Sequence, residues 1–379
     1  MKILFILPEY PPHNIGGGGA TAKKLVEKLN ELGHELVVFY GYYPNTDWSA
    51  EIKKYENKGI TFYQVPQIPY PKSKPFLRTY MPPTFRAHRQ MKKIISSIKA
   101  DGVNIQGYGL ISTNLASRIL RKQNIKYNLT MMGYPDTPYQ SLPTKLFWKY
   151  FYIPFLMDPT MNNASKIICK SNFVRQNPHN TYKDESVVIP NGFAIEDYQD
   201  IQKEFDIREK HSISEDEKVI LSLGRISEMK GFQEIITRIP KFLEKGVKVR
   251  YLIAGTDEGY KKTLDNLIKD YKVEKYVNFI GQINLKQKRQ YLDQCDYFAA
   301  SSLFEWFGNI AIEGAYFDKL VLTSNKGDFK DILKDYNKKV IFYEDDFVEQ
   351  CLKKENIKGN FDVSKYNWEN VAKQYIDSF

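Results

Sequence analysis

Tyr297-Phe298-Ala299-Ala300-Ser301-Ser302, then Glu305-Trp306-Phe307-Gly308-Asn309-Ile310-Ala311-Ile312-Glu313-Gly314-Ala315, then Leu320-Val321-Leu322-Thr323-Ser324 is the stretch that decides the fold. Its first and last pieces are short apolar runs of strand type. The middle piece opens on a glycine turn and continues as an apolar helix of small residues. Strand, helix and strand at this spacing make a packed βαβ unit. The loop before the helix forms a polar cradle. The first amides of a helix have no internal acceptor and carry the positive end of its dipole, so a phosphate or sugar oxygen can take those bonds. Glu305 falls in the loop and Glu313 about one turn into the helix, so both can reach one ligand. Taken alone, the spacing also fits a solvated loop glutamate and a helix-surface one. The strands on either side favour the ligand.

Working outward, the same alternation fills the chain. Lys2–Leu7, Glu35–Tyr40, Val103–Gln106, Tyr127–Met131 and Lys166–Cys169 read as strands. Between them Thr21–Leu32, Met91–Ile98 and Leu110–Arg121 read as helices, with Leu25, Val26, Leu29 and Leu32 at helical spacing. The pattern then restarts. Val187–Pro190, Lys218–Leu223, Val247–Ala254 and Val277–Ile280 are strands, and Gly231–Leu243, Glu258–Tyr271 and Lys286–Gln294 are helices. Strand–helix alternation run twice predicts an α/β protein of two parallel-sheet, Rossmann-like domains facing a central cleft. The boundary is expected near Glu185. Residues 1–184 form the first domain, 185–361 the second, and a C-terminal helix within 362–379 crosses back to the first.

The chain's 379 residues suffice for two domains of ordinary size. No signal peptide is expected, because the run Ile3–Leu7 is short and meets Pro8. The longest apolar region, Leu146–Met157, contains Lys149 and Pro154 and is too short to span a bilayer. Cys169, Cys295 and Cys351 lie far apart, which argues against a disulfide framework or zinc site and for a reducing compartment. A cytoplasmic location follows as the expectation. The net charge of +10 favours anionic partners: nucleotide phosphates, anionic lipid or nucleic acid.

Two loops carry chemistry besides the opening stretch. Pro11-Pro12-His13-Asn14-Ile15-Gly16-Gly17-Gly18-Gly19 follows the first strand, and a helix beginning near Ala20 would aim its amides at it. The Gly-x-Gly-x-x-Gly register and the Gly-Lys-Ser/Thr signature are both missing, so neither a dinucleotide site nor a P-loop is indicated. A plain surface loop is the alternative. Gly224-Arg225-Ile226-Ser227-Glu228-Met229-Lys230-Gly231 also joins a strand to a helix. Arg225 and Lys230 stand at the carboxyl end of that strand, where open α/β sheets bind ligands. Arginine presents a planar fork to phosphate oxygens and lysine a point charge. A solvated basic turn is the bland reading of this loop. No Asp-x-Asp occurs, and Glu344-Asp345-Asp346 reads as a surface cluster. A departing diphosphate would then be balanced by Arg225, Lys230 and helix amides, with no metal and no cofactor.

Together these pieces resemble the retaining glycosyltransferases of the two-domain GT-B class, family 4, also called glycosyl transferases group 1. Tyr10-Pro11-Pro12 with Gly16-Gly17 and Gly33-His34-Glu35 looks like the family's opening. Ile189-Pro190-Asn191-Gly192 looks like its interdomain turn, Gly224-Arg225 with Lys230-Gly231 like its diphosphate clamp, and Phe279-Ile280-Gly281 like its base loop. Glu305 through Glu313 matches its paired-glutamate motif. The resemblance implies a hexosyltransferase whose nucleotide-sugar is a substrate. Catalytic roles fall to Arg225 and Lys230 on the diphosphate and Glu305 on the donor sugar. Donor contacts fall to Gly16, Gly17, Gly281, Gln282, Phe307, Gly308, Asn309 and Ile310, with Glu313 on the ribose hydroxyls. UDP is the first expectation for the nucleotide and GDP the second. Transfer would retain anomeric configuration, the acceptor attacking from the face the diphosphate leaves.

Two departures stand out. Thr130-Met131-Met132-Gly133 replaces the family's usual Thr-x-His-Gly, and Met132 cannot donate a hydrogen bond to a sugar hydroxyl. Lys326-Gly327-Asp328 replaces paired glycines. On the acceptor side, Tyr70–Lys99 carries eight Lys or Arg and no acid, interleaved with Phe76, Tyr80 and Phe85. Such a mixture suits an anionic membrane carrying a lipid-linked acceptor, with peripheral attachment, and equally a solvated basic face. A glycan acceptor, nucleic-acid glycosylation, a sugar-nucleotide epimerase and a sugar-nucleotide-binding pseudoenzyme complete the alternatives. No nucleic-acid-binding signature supports that rival.

Overall fold

The computed structural model describes residues 1–12, 17–42, 49–68, 82–107, 110–133, 142–176, 185–199, 202–303, 305–324, 327–344 and 346–379, apart from the side chain at 144. The chain divides into two compact units, Met1–Gly192 with Trp368–Phe379, and Phe193–Asn367.

The first unit is built on eight strands: β1 (Lys2–Leu7), β2 (Glu35–Tyr42), β3 (Lys53–Asn57), β4 (Ile60–Pro66), β5 (Gly102–Gln106), β6 (Asn128–Met131), β7 (Lys166–Cys169) and β8 (Val187–Val188). They lie in the order β3-β4-β2-β1-β5-β6-β7-β8. Every pairing is parallel except β3 with β4. The central strands are buried along nearly their whole length, as a parallel sheet covered on both faces requires. β3 and β4 form a hairpin that the sequence reading did not anticipate. Its two-residue turn, Lys58-Gly59, holds both residues at positive φ, 52° and 78°, the backbone a tight antiparallel hairpin demands.

Three expectations are corrected here. The helix after the glycine loop starts at Gly17, not near Ala20, so Gly17–Gly19 form its first turn. The helix expected over Met91–Ile98 begins at Phe85, because Thr84 caps it by accepting from the Ala87 amide at 3.2 Å. The strand at Val187–Val188 pairs with β7 and belongs to the first sheet, so the division falls after Gly192 rather than near Glu185. Trp368–Ser378 is helical and packs in the first unit, burying Trp368, Val371, Ala372 and Tyr375.

The second unit has six parallel strands: β9 (Lys218–Leu223), β10 (Val249–Ala254), β11 (Val277–Gly281), β12 (Tyr297–Ala300), β13 (Leu320–Thr323) and β14 (Val340–Phe342). Their order is β11-β10-β9-β12-β13-β14. Chain order runs outward from β9 on one side and resumes at β12 on the other, so the topological switch lies between β9 and β12. Apolar layers cover both faces. The helix expected over Gly231–Leu243 is two helices, Phe232–Ile236 and Ile239–Glu244. Pro240 explains the break: it has no amide proton, and its ring crowds the carbonyl of Ile236, four residues back.

Candidate active site

The candidate residues of the second unit collect at the carboxyl edge of its sheet, on both sides of the β9/β12 switch, where open α/β sheets form their binding crevice. The loop leaving β9 is fixed from two directions. Ile226 donates its amide to the Thr256 carbonyl at 2.8 Å, tying it to the loop after β10. The Leu303 amide donates to the Met229 carbonyl at 2.8 Å, tying it to the loop after β12. Gly231 is the pivot. Its φ is +66°, and a Cβ there would overlap the Ser301 carbonyl oxygen, so only glycine lets the two loops meet.

That meeting brings together Lys230 and Glu305, from either side of the switch. Lys230 Nζ donates to Glu305 Oε2 at 2.8 Å, and both side chains are only about one-fifth exposed. The lysine stem runs beside Gly224, where a Cβ would come 3.4 Å from Lys230 Cδ. Arg225 points elsewhere, with Nη1 on Glu258 Oε1 at 2.6 Å in a largely solvated pair. Such an exposed pair contributes little to stability and leaves the guanidinium open to exchange partners.

Glu313 lies one turn into the helix Asn309–Tyr316 and is only 8% exposed. Its Oε1 accepts from Lys288 Nζ at 2.6 Å and from Tyr198 Oη at 3.1 Å. Its Oε2 is buried and has no hydrogen-bond partner among the described residues. Burial, followed by the Glu313 charge and its hydrogen bond, pushes the Tyr198 hydroxyl well above its usual pKa, so it stays protonated as a donor. The two glutamates therefore have separate cations. The eight-residue spacing joins them to one strand–loop–helix unit, with no hydrogen bond between them among the described residues.

The helix that carries Glu313 has Gly308 at its N-cap and no side-chain cap. Close packing explains the glycine, since a Cβ would overlap the Phe329 ring. Phe307 is buried in the second unit's core and acts as a packing residue for the motif. The expectation that the Asn309 amide is free for a ligand is corrected: it donates to the Phe307 carbonyl at 3.1 Å. Ile310 follows it in the first turn, half-buried. Gly281 ends β11 at a φ of +73°, and Gln282 after it is exposed, so this loop is accessible at the same edge.

In the first unit, Gly17 heads the helix Gly17–Glu31, at the position whose amide has no acceptor within the helix. Met132 lies against this start: a Cβ on Gly18 would come 3.4 Å from the Met132 methyl. The methionine thus presents an apolar tip to the first turn of this helix. Gly16, His13, Lys326 and Asp345 lie outside the described residues, as does 69–81 of the basic segment. The sequence reading missed three partners. Glu258 had a usable signal, since it follows the carboxyl end of a parallel strand. Lys288 and Tyr198 had none, because their pairing with Glu313 spans long stretches of chain.

Two family models match the chain. Residues 15–197 match Glycosyltransferase Family 4, and residues 203–356 match Glycosyl transferases group 1. The chain belongs to the family 4 glycosyltransferases. This glycosyltransferase is 27% identical to an uncharacterized glycosyltransferase of Methanocaldococcus jannaschii, over 100% of this chain and 98% of that protein. It is 24% identical to the phosphatidylinositol N-acetylglucosaminyltransferase GPI3 subunit of Saccharomyces cerevisiae, over 98% of this chain and 80% of that one. Among solved structures, an Anabaena protein in complex with UDP and glucose aligns with a TM-score of 0.65 at 16% identity, covering 99% of this chain and 95% of the other. The enzyme has the GT-B fold.

Proposed function

We propose that the enzyme moves a sugar from a UDP-sugar, with a GDP-sugar as second choice, to a glycan or lipid-linked acceptor, with retention and without a metal ion. The Lys230–Glu305 pair at the β9/β12 switch carries this reading. A leaving diphosphate needs positive charge that is fixed before reaction, because preorganised charge acts without reorganisation cost. Glu305 holds the Lys230 ammonium in place, and Arg225 adds a planar fork from the same loop. Glu305 then faces the donor sugar. The uncommitted Oε2 of Glu313 is a buried acceptor suited to a ribose hydroxyl, and Lys288 holds the carboxylate in place through its other oxygen. UDP comes first because the Anabaena protein of this fold holds it. A lipid acceptor is favoured by the name of the yeast relative and by the basic segment 70–99, for which an anionic membrane surface is the matching partner. The acceptor attacks from the face that the diphosphate leaves.

The test is thermal stabilisation by UDP, GDP, ADP and their sugar conjugates, in chelator and then with divalent cations. A ligand that binds only the folded state raises stability with the logarithm of its concentration over Kd. The expected outcome is a shift with UDP in chelator that Lys230→Ala reduces strongly and Arg225→Ala reduces less. A shift that appears only with added metal would overturn the metal-free reading, and no shift with any nucleotide would overturn the donor assignment.

A further inference from the structure

The helical stretch Leu142–Met157 presents an apolar edge to solvent. Leu142, Leu146, Phe147, Tyr150, Phe151 and Phe155 are all exposed, Phe155 at 71%. The other exposed large apolar side chains among the described residues are scattered singly along the chain, as soluble surfaces ordinarily show. The stretch is α-helical over Leu142–Phe147 and wound as a π-helix over Trp148–Met157, and with that wider winding the six fall on one face as a stripe. The opposite side of the same stretch buries Trp148, Tyr152 and Met157. The stripe is therefore a free face of a packed helix, and no helix of the described residues is long and apolar enough to cross a membrane.

Charge decides what covers it. From Pro82 to Met157 the sequence has eleven Lys or Arg and two acids, Asp101 and Asp136. Lys145 and Lys149 are the sole charges within the stretch. The helix Ile111–Lys122 packs against it and brings Arg118 and Lys122. The basic helix Phe85–Ser97 adjoins that one, with Gln123 Nε2 donating to the Lys92 carbonyl at 3.1 Å, and the His88 pKa is depressed first by burial and then by Arg118, Lys122 and Lys92. A second copy would set cations against cations. An anionic lipid surface complements both the charge and the aromatic stripe, since Trp, Tyr and Phe settle at the headgroup boundary while Lys and Arg meet the phosphates.

We propose that Leu142–Met157 is a membrane-insertion edge, which lies in the interface of an anionic bilayer with Phe147, Phe151 and Phe155 among the acyl chains. The proposal rests on the lipid side of the functional reading above and is independent of the donor. It names an inserting element distinct from 70–99.

Cosedimentation with phosphatidylcholine vesicles containing phosphatidylglycerol, against phosphatidylcholine alone, tests it in the full chain. The wild type should pellet with the anionic vesicles and shift little to neutral ones. Phe151→Ser with Phe155→Ser should lower partitioning roughly tenfold or more, with thermal unfolding and the nucleotide-induced shift unchanged. The paired Trp replacements should keep partitioning. Wild-type protein left in the supernatant with both vesicles would overturn the proposal. So would a Ser double variant that pellets like wild type while Arg89→Glu with Lys93→Glu does not, which would leave the basic segment alone as the contact. A dimer in light scattering that the Ser double variant dissociates, without vesicle binding, would assign the stripe to a second copy. The nucleotide shift reads the donor site separately, so either reading can fail while the other stands.

Discussion

At the residue scale, Lys230 and Glu305 share one hydrogen bond, yet the proposed mechanism gives them different work. On the proposed reading Lys230 meets charge that is present on the bound nucleotide and grows as the diphosphate leaves. Removing it should therefore weaken both ground-state binding and turnover. A charge-assisted bond contributes about 1.5–3 kcal/mol, so Lys230→Ala should lose roughly ten- to hundred-fold in UDP affinity. Glu305, on the same proposed reading, faces the sugar, and its absence should be felt mostly in the transition state. Glu305→Ala should thus cut kcat strongly with a smaller change in UDP affinity. Titration of UDP by calorimetry alongside steady-state kinetics separates the two. A Glu305→Ala enzyme with wild-type kcat on its true substrate pair would sink the central assignment. Arg225 sits in a more solvated pair with Glu258, and its affinity loss should be the smaller of the two cations'.

At the scale of elements, the site depends on loops held in contact, and Gly231 is where that dependence is sharpest. Alanine there must keep a φ of +66° and push against the Ser301 carbonyl. Strained backbone of this sort costs about 1–3 kcal/mol, and the clash adds to it. Gly231→Ala should lower the urea midpoint and, by parting the β9 and β12 loops, weaken UDP binding beyond what the stability loss explains. Unchanged stability together with unchanged UDP affinity would show that the loops do not need this close approach. The same physics governs what could be read from the sequence. Strands such as Lys2–Leu7 and Lys218–Leu223 were legible because buried parallel strands are continuous apolar runs. The hairpin of β3 and β4 was not, since its turn uses Lys58-Gly59 where Asn-Gly would have announced it. Val187–Val188 gave no hint of which sheet it joins, because a strand pair carries no record of its partner. Glu305, Lys230 and Glu313 were legible as a pattern tied to one family. The partners Lys288 and Tyr198 were fixed only by the fold.

At the scale of the whole molecule, the chain leaves the first unit at Gly192 and returns to it at Trp368, so its last helix is a structural part of a domain begun far earlier in sequence. The junction is polar as well as apolar. Asn128 Nδ2 donates to the Ser378 carbonyl at 2.8 Å, and Lys170 Nζ donates to Tyr375 Oη at 2.8 Å. Lys170 directly follows β7 and is fully enclosed, with the Tyr375 ring 4.9 Å from its nitrogen. Burial pushes its pKa down to about 7, whereas an unfolded lysine holds its proton to about 10.4. Between those values the unfolded state carries more protons than the folded one, so stability rises with pH across that window. It is lowest below pH 7, where the folded state must bury an ammonium, and the penalty is gone above the unfolded pKa. The limiting slope for one proton is about 1.4 kcal/mol per pH unit. Lys170→Met keeps the stem and removes the titration, so the difference in unfolding free energy between variant and wild type should shrink steadily from neutral to alkaline pH. Urea unfolding of both proteins at a series of pH values measures that difference directly. Parallel pH profiles would mean that Lys170 titrates alike in both states, and that the C-terminal helix does not seal it from water.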